Sequence, residues 1–388
     1  MDERKVALFS TQFCPYSQTF VYDEVKAHTR YAVDVFAMQR MYADRFPYEP
    51  VYVFGSSLLE RFERLACEYF LISPTRKKLF TQGNYDLIAA HFGPGSIYAL
   101  PHAQRTGLPL VVTYHGYDVP LLSMPRRFWP AYWRYWLLSP WMFRRVDRFL
   151  AASDELHRML VELGAPPEKV FTWRLGVTIP EVTPPVRTGK SIIQIGRFVE
   201  KKGFADSIMA MGLLKRRYEA QGRTFDVVLT CIGDGPLLPE CRYIAKRERV
   251  REHVRFLKAL PQPEVFEHIL HSDILLAPSV IAQNGDRESG ILVVKEAGVR
   301  YVPAIGTWHG GIPEIIDDGV TGFLVPEHSP ESIADKMSIL LDNPELRLQM
   351  GLASRKKMER EYRLEDRVAA LEQHYDEVIK EKQLKTRG

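Results

Sequence analysis

Cysteine is scarce in this chain: four in 388 residues, Cys14, Cys67, Cys231 and Cys241, with no C-x-x-C pair among them. That density excludes a disulfide framework and points to a reducing compartment. Long apolar runs are missing as well. Charges or prolines interrupt every stretch before the ~20 apolar residues that a bilayer span needs, and Val6–Phe9 is too short for a signal-peptide core. A cytoplasmic protein is expected, any membrane contact being peripheral at the inner face of the cell membrane. Nor is there an excess of one charge. With 52 basic and 48 acidic residues the net charge is +4, so no global field draws the chain onto nucleic acid and anion recognition has to be local.

What is present is an ordinary globular composition, 46% hydrophobic and 26% charged, in a chain longer than one core usually supports. Short apolar runs recur, each followed by a polar turn and a helical pattern, which is the signature of parallel sheets covered by helices. In the first half they are Val6–Ser10, Val33–Ala37, Val51–Phe54, Leu87–His91, Leu110–Tyr114 and Phe149–Ala152. In the second they are Ser191–Ile195, Val227–Ile232, Val254–Phe256, Ile274–Pro278, Val302–Ile305 and Gly322–Val325. Between the halves, Ile179–Gly189 holds three prolines and a glycine, an extended linker. The expectation is an α/β protein of two Rossmann-like domains, 1–180 and 190–360, facing each other across a cleft, with 361–388 forming a C-terminal helix that crosses back to the first. Ligands of open α/β sheets bind outside the carboxyl ends of the strands, so function is sought in strand-to-helix loops.

In the second half, Gly196-Arg197 and Lys201-Lys202-Gly203 follow the first strand. Arginine offers a planar fork of donors and lysine a point charge, both suited to a diphosphate, although alone the segment reads as a solvated basic loop. The next strand ends in Gly233-Asp234-Gly235-Pro236, where glycines let the backbone approach a ligand closely; its bland reading is a tight turn. After Ile274–Ser279 comes Gly285-Asp-Arg-Glu288-Ser289-Gly290-Ile291, then Glu296. Glu288 is expected at the mouth of a helix whose first amides suit a phosphate, with Glu296 eight residues on. Each carboxylate can accept two hydrogen bonds from a diol, and the apolar Ile291–Val294 between them argues against plain surface charge. Farther on stand Gly310-Gly311-Ile312-Pro313-Glu314 and Gly322-Phe323.

In this order, these motifs resemble the nucleotide-binding half of the family 4 glycosyltransferases, retaining enzymes of the GT-B fold, and in particular the bacterial exopolysaccharide and colanic-acid-type members. The resemblance implies that Arg197 and Lys202 hold the donor diphosphate, with Lys201 a competitor for the second role. It implies that Glu288 contacts donor-sugar hydroxyls and Glu296 grips the ribose diol. Gly233, Gly235, Ser289, Gly290 and Ile291 would line the nucleotide. Lys258 stands where the family commonly has glycine beside the nucleobase, which leaves the base open between uridine and guanosine.

The first half resembles the family more loosely. Thr113-Tyr114-His115-Gly116-Tyr117-Asp118 is similar to its His-Gly segment, which implies a sugar contact for His115, with Asp118 a second candidate. Phe13-Cys-Pro-Tyr-Ser17-Gln-Thr19-Phe20 resembles the Ser-x-Thr-Phe loop of polysaccharide-building members. Residues 125–145 hold four of the six tryptophans and five arginines. They read either as a bilayer-facing surface, with Trp129, Trp133 and Trp136 on one helical face, or as core packing under arginine stems.

The implied reaction is hexosyl transfer from a nucleotide-diphosphate sugar to a polysaccharide or lipid-linked glycan, the basic pair replacing a metal and no cofactor being needed. A GT-B-fold sugar-nucleotide epimerase and a non-catalytic sugar-nucleotide-binding protein are the alternatives.

Overall fold

The computed structural model describes residues 4–15, 18–129 and 132–387, without the side chains of residues 125, 126, 386 and 387. The chain divides into two compact units, one of residues 1–176 with 364–388 and the other of residues 177–363.

In the first unit the elements run β1 (Arg4–Phe13), α1 (Thr19–Ala27), β2 (Tyr31–Arg40), β3 (Val51–Tyr52), α2 (Leu58–Phe70), α3 (Pro74–Gln82), β4 (Leu87–His91), α4 (Gly93–Thr106), β5 (Leu110–Tyr114), α5 (Trp133–Arg145), β6 (Arg148–Ala151), α6 (Asp154–Glu162) and β7 (Val170–Thr172). The seven strands form one parallel sheet in the order β3-β2-β1-β4-β5-β6-β7. Strands β4, β5 and β6 are buried at every residue, as expected of a parallel sheet covered on both faces.

The second unit continues with β8 (Ser191–Ile195), α7 (Phe204–Ala220), β9 (Val228–Ile232), α8 (Leu238–Arg247), β10 (Val254–Leu257), α9 (Gln262–Leu270), β11 (Ile274–Ala277), α10 (Leu292–Gly298), β12 (Ala304–Thr307), α11 (Ile312–Ile315), β13 (Gly322–Val325), α12 (Pro330–Asp342) and α13 (Pro344–Glu361). Its six strands are also all parallel, ordered β10-β9-β8-β11-β12-β13. The last helix, α14 (Leu364–Arg387), belongs to the first unit. Val368, Leu371, Tyr375, Val378 and Ile379 make its buried stripe at the helical spacing of three and four. The buried Glu372 accepts from the backbone amides of Thr29 and Arg30 and from Arg30 Nε at 2.9–3.0 Å.

The proline-rich segment, expected to be an extended linker, holds no helix or strand, and the change of unit falls before it, at 176/177. The segment is held to the second unit because Val177 N donates to the Tyr362 carbonyl at 2.7 Å and Arg187 donates to the carbonyls of Arg300 and Tyr301, each at 2.8 Å.

Candidate functional site

Strands β8 and β11 are neighbours, while the chain leaves them toward opposite edges of the sheet. This is the switch point at which loops diverge and open a crevice. The loops concerned are residues 196–203 after β8 and 278–291 after β11. They pack together closely: Val280 N donates to the Lys201 carbonyl, Gln283 N to Glu200 Oε1, and a Cβ on Gly203 would lie 1.9 Å from the Pro278 carbonyl oxygen.

Held between them is a cluster of charge. Lys201 Nζ, nearly buried, reaches Asp286 Oδ1 at 3.0 Å, the Arg287 carbonyl at 3.1 Å and Glu288 Oε1 at 3.2 Å. Lys202 Nζ reaches Glu288 Oε2 at 3.1 Å. Burial works to raise the Glu288 carboxyl, but Lys202 and then Lys201 outweigh it and hold it down to about 2. Glu288 is therefore a carboxylate at neutral pH, able to accept hydrogen bonds and unable to donate a proton. Its backbone is fixed too. Glu288 N donates to His309 Nε2 at 3.0 Å, so the ring proton sits on Nδ1, which faces Glu327 Oε1 at 2.8 Å; Glu327 Oε2 accepts from Ile281 N. The ends of β11, β12 and β13 are thereby tied together.

One expectation is corrected here. Glu288 is not at a helix mouth: α10 begins at Leu292 after Ile291, and Glu288 lies in the loop before it, followed by the buried Ser289 and the half-buried Gly290. Glu296 is on α10, half-buried, one turn before Arg300, which donates to its carbonyl. Arg197 is exposed and has no side-chain hydrogen bond or ion pair among the described residues, and Lys258, just after β10, is exposed. Gly233 and Gly235 bring loop against loop. A Cβ on Gly233 would stand 1.9 Å from the Gly196 carbonyl oxygen and one on Gly235 2.5 Å from that of Phe198. Phe198 N and Leu237 N close the same contact with Asp234 O and Phe198 O.

In the first unit His115 follows β5 and lies in a row of three titratable groups. Glu24 Oε1 is 2.9 Å from His91 Nε2, and His91 Nδ1 is 2.7 Å from His115 Nε2. A carboxylate only accepts, so a neutral His91 ring donates through Nε2 and accepts through Nδ1, and His115 then carries its proton on Nε2. His115 Nδ1 is left buried without a protein partner, as is Glu24 Oε2. Phe20 and Phe92 flank the His115 ring at 4.7 and 4.6 Å, and burial together with His91 pushes its pKa well down. Asp118 is fully buried and accepts from Gly93 N at 3.1 Å and Gly116 N at 2.9 Å. It braces the His-Gly turn. Burial pushes its carboxyl up to about 6 against these backbone hydrogen bonds. Ser17 lies outside the described residues.

Glu24, His91, His309 and Glu327 escaped the sequence reading. A signal for two of them existed: His91 ends a strand beside the one that His115 follows, and Glu24 sits between Val21 and Val25 on the buried stripe of α1. Among the described residues no group of three His, Cys, Asp or Glu could hold a metal ion.

Comparison with known proteins gives this geometry a family. Residues 178–357 match the model for glycosyl transferases group 1 and residues 17–179 that for glycosyltransferase family 4. A putative colanic acid biosynthesis glycosyltransferase, WcaL of Escherichia coli K12, is 30% identical over 67% of this chain and 63% of its own length. The amylovoran biosynthesis glycosyltransferase AmsK of Erwinia amylovora is 27% identical over 71% and 66%. The chain thus spans just under two thirds of these relatives. Among solved structures, Anabaena HepE in complex with UDP superposes with a TM-score of 0.74 at 16% identity, covering 96% of this chain and 100% of that one. With two family models that together account for residues 17–357, and with the GT-B fold, the chain belongs to the family 4 glycosyltransferases.

Proposed function

We propose that the protein transfers a hexosyl unit from a UDP- or GDP-sugar to a polysaccharide or lipid-linked glycan acceptor, with retention of anomeric configuration and without a metal or other cofactor. The observation that carries this reading is the Lys201–Glu288–Lys202 cluster at the switch point of the second sheet, with the guanidinium of Arg197, unpaired among the described residues, on the same loop as the lysines.

When the bond between the anomeric carbon and the leaving phosphate oxygen breaks, its electron pair stays on that oxygen. Arg197 and Lys202 are assigned to that charge, which they stabilise more in the transition state than in the ground state. Glu288 accepts from hydroxyls of the donor sugar, and Glu296 from the ribose diol. Gly233, Gly235, Ser289, Gly290, Ile291 and Lys258 are assigned to the nucleotide, and His115 of the first unit to a sugar hydroxyl. By the family resemblance the acceptor oxygen attacks on the face that the leaving group vacates, and its proton passes to the departing diphosphate.

The names of the relatives support the substrate class. HepE is solved with UDP-glucose, and a Mycolicibacterium smegmatis relative, 30% identical over 42% of this chain, is a GDP-mannose-dependent phosphatidylinositol monomannoside mannosyltransferase. Colanic acid and amylovoran biosynthesis favour a polysaccharide acceptor. No helix among the described residues is long and apolar enough to cross a membrane. Contact with the cytoplasmic face of the cell membrane through residues 125–145 is favoured by the exposure of Phe128, Trp129, Trp133, Trp136 and Leu137 beside Arg127, whose guanidinium lies over the Phe128 ring at 4.8 Å. Helix α5 starts only at Trp133, so the tryptophan face is split between the helix and the turn before it.

The test is a panel of nucleotide sugars in thermal-shift and transfer assays. A UDP- or GDP-sugar should stabilise the protein and be consumed, and Arg197→Ala and Glu288→Ala should abolish consumption with the fold retained. Failure of every nucleotide sugar to stabilise the protein would overturn the donor-site assignment.

A further inference from the structure

Helix α2 packs with its polar side and exposes its apolar one. Leu58, Leu59, Phe62, Leu65, Tyr69 and Phe70 share one face at spacings of three and four, and all are exposed, Leu59 to 79% and Phe62 to 68%. The opposite side faces the unit: Cys67 is buried, and Glu60, Glu63, Arg64 and Glu68 are half-buried. This orientation is fixed by polar bonds. Ser57 and Glu60 form a capping box at the start of the helix, and the Glu63 carboxylate accepts from Ser73 Oγ, Thr75 N and Thr75 Oγ1, each at 2.7 Å. Rolling the helix to bury its leucines would break the three Glu63 bonds, whereas the capping box would turn with the helix.

A contiguous apolar face of this size is rare on a soluble monomer and marks a surface that is covered in use. Its surroundings indicate by what. The acidic groups of α2 lie on its half-buried side, away from the leucines, while Arg61 on α2 and Lys77 and Lys78 on α3 are exposed. Ile72 prolongs the apolar face beyond the helix. Apolar and aromatic side chains rimmed by cations suit the boundary of headgroup and acyl chain in an anionic bilayer. A second copy of the chain would set the same basic rim against itself.

We propose that α2 is an interfacial anchor, lying in the surface of a bilayer that contains anionic phospholipid, with Leu58, Leu59, Phe62 and Phe70 in the acyl boundary and Arg61, Lys77 and Lys78 against the headgroups. This deepens the membrane contact proposed above and rests on that reading for its choice of partner. It adds a second element, one that residues 125–145 do not include.

The test uses the full-length protein and co-sedimentation with vesicles of phosphatidylcholine, with or without phosphatidylglycerol. The protein should bind the phosphatidylglycerol vesicles more tightly. Leu59→Glu and Phe62→Glu should each weaken that binding by roughly tenfold, whereas Leu384→Glu, an exposed leucine on α14, should leave it unchanged. Lys77→Glu with Lys78→Glu should remove the preference for phosphatidylglycerol. Unfolding temperatures within error of the parent are expected, because the substituted side chains are exposed. Two results would overturn the proposal: vesicle binding that is absent or indifferent to Leu59→Glu and Phe62→Glu, or a dimer in vesicle-free solution that those substitutions turn into a monomer. Transfer to a water-soluble acceptor, measured on the same variants, should stay unchanged. Absence of vesicle binding in the parent with transfer intact refutes the anchor alone, and absence of transfer in the parent refutes the enzymatic reading alone.

Discussion

Lys202 Nζ stands 3.1 Å from Glu288 Oε2, and Lys201 Nζ takes the other oxygen of the same carboxylate at 3.2 Å. The two lysines share Glu288 but differ in everything else. Lys201 also holds Asp286 and the Arg287 carbonyl and is the more buried of the two. It is the brace of the loop, and Lys202, the less buried of the two, is the one assigned above to the donor diphosphate. Lys202→Met should therefore lower kcat/KM about a hundredfold or more, as loss of a preorganised charge does, with a smaller loss of stability than at Lys201, because Lys201 still pairs Glu288. Lys201→Met should destabilise more, by on the order of 3 kcal/mol, because it strips Asp286 of its ammonium and the Arg287 carbonyl of its donor, while Glu288 keeps only Lys202. Urea unfolding beside transfer kinetics separates the two, and the reverse pattern would give the diphosphate to Lys201.

Acid should act on two carboxylates at once. Burial opposes ionisation of Glu372, but the hydrogen bonds from His28, Arg30 and Thr29 outweigh it and draw its pKa from the usual 4.5 to about 2. Glu288 is drawn down equally far by its lysines. With the folded value below the unfolded one, each group stabilises fully above pH ~4.5, and its contribution is lost as the pH falls toward 2. Glu372→Gln should cost on the order of 2 kcal/mol at pH 7, less than the full shift because the half-exposed Arg30 admits screening water. The gap between parent and variant in urea melts should close on acidification. A gap that persists to pH 2 would contradict the assignment.

The strands were the most legible part of the chain. Leu87–His91, Leu110–Tyr114, Ser191–Ile195 and Gly322–Val325 appear with the bounds that their apolar runs suggest, since strands buried on both faces need unbroken apolar sequence. β12 starts at Ala304 rather than Val302 because Pro303 has no N–H for the ladder. β7, three residues at the sheet edge with Phe171 half-buried, has too little pattern to be seen. At the site, the residue types were readable and their supports were not. Nothing local in the sequence says that His309 will hold the Glu288 amide or that Glu24 will meet His91, because both contacts join segments far apart in the chain. Helix α2 illustrates the opposite limit. Its apolar stripe is plain in the sequence, but whether a stripe faces core or solvent is decided by the polar bonds of the other side.

The row Glu24–His91–His115 leads to an expectation about protonation. Burial and the neighbouring His91 hold His115 neutral well below the usual histidine range, and the donor order places its proton on Nε2. In nitrogen-15 spectra of ring-labelled histidine, the His115 signal, assigned by His115→Gln, should show the Nε2–H tautomer and no titration between pH 6 and 8 (roughly the span in which an unperturbed imidazole changes charge). Replacing His91 by Phe should free the ring to exchange tautomers. A His115 signal titrating near 6.5 in the parent protein would refute the depressed pKa, and one showing the Nδ1–H tautomer would refute the donor order.

Two glycines in the left-handed region separate backbone strain from close packing. Gly222 has a φ of +68° and nothing within 4 Å of the place a Cβ would take, while Gly203 has a φ of +64° and would place a Cβ 1.9 Å from the Pro278 carbonyl oxygen. Gly222→Ala should cost about 1 kcal/mol, the strain of a left-handed alanine alone. Gly203→Ala carries the same strain and must also push the loop after β11 away from the loop after β8, carrying Glu288 off the two lysines. Its cost should exceed that of Gly222→Ala by at least ~2 kcal/mol, and transfer should fall with it, whereas Gly222→Ala should keep full activity. Urea unfolding and transfer rates of the pair decide the matter: equal costs with activity intact in both would mean that the contact between the two loops does not hold the charge cluster in place.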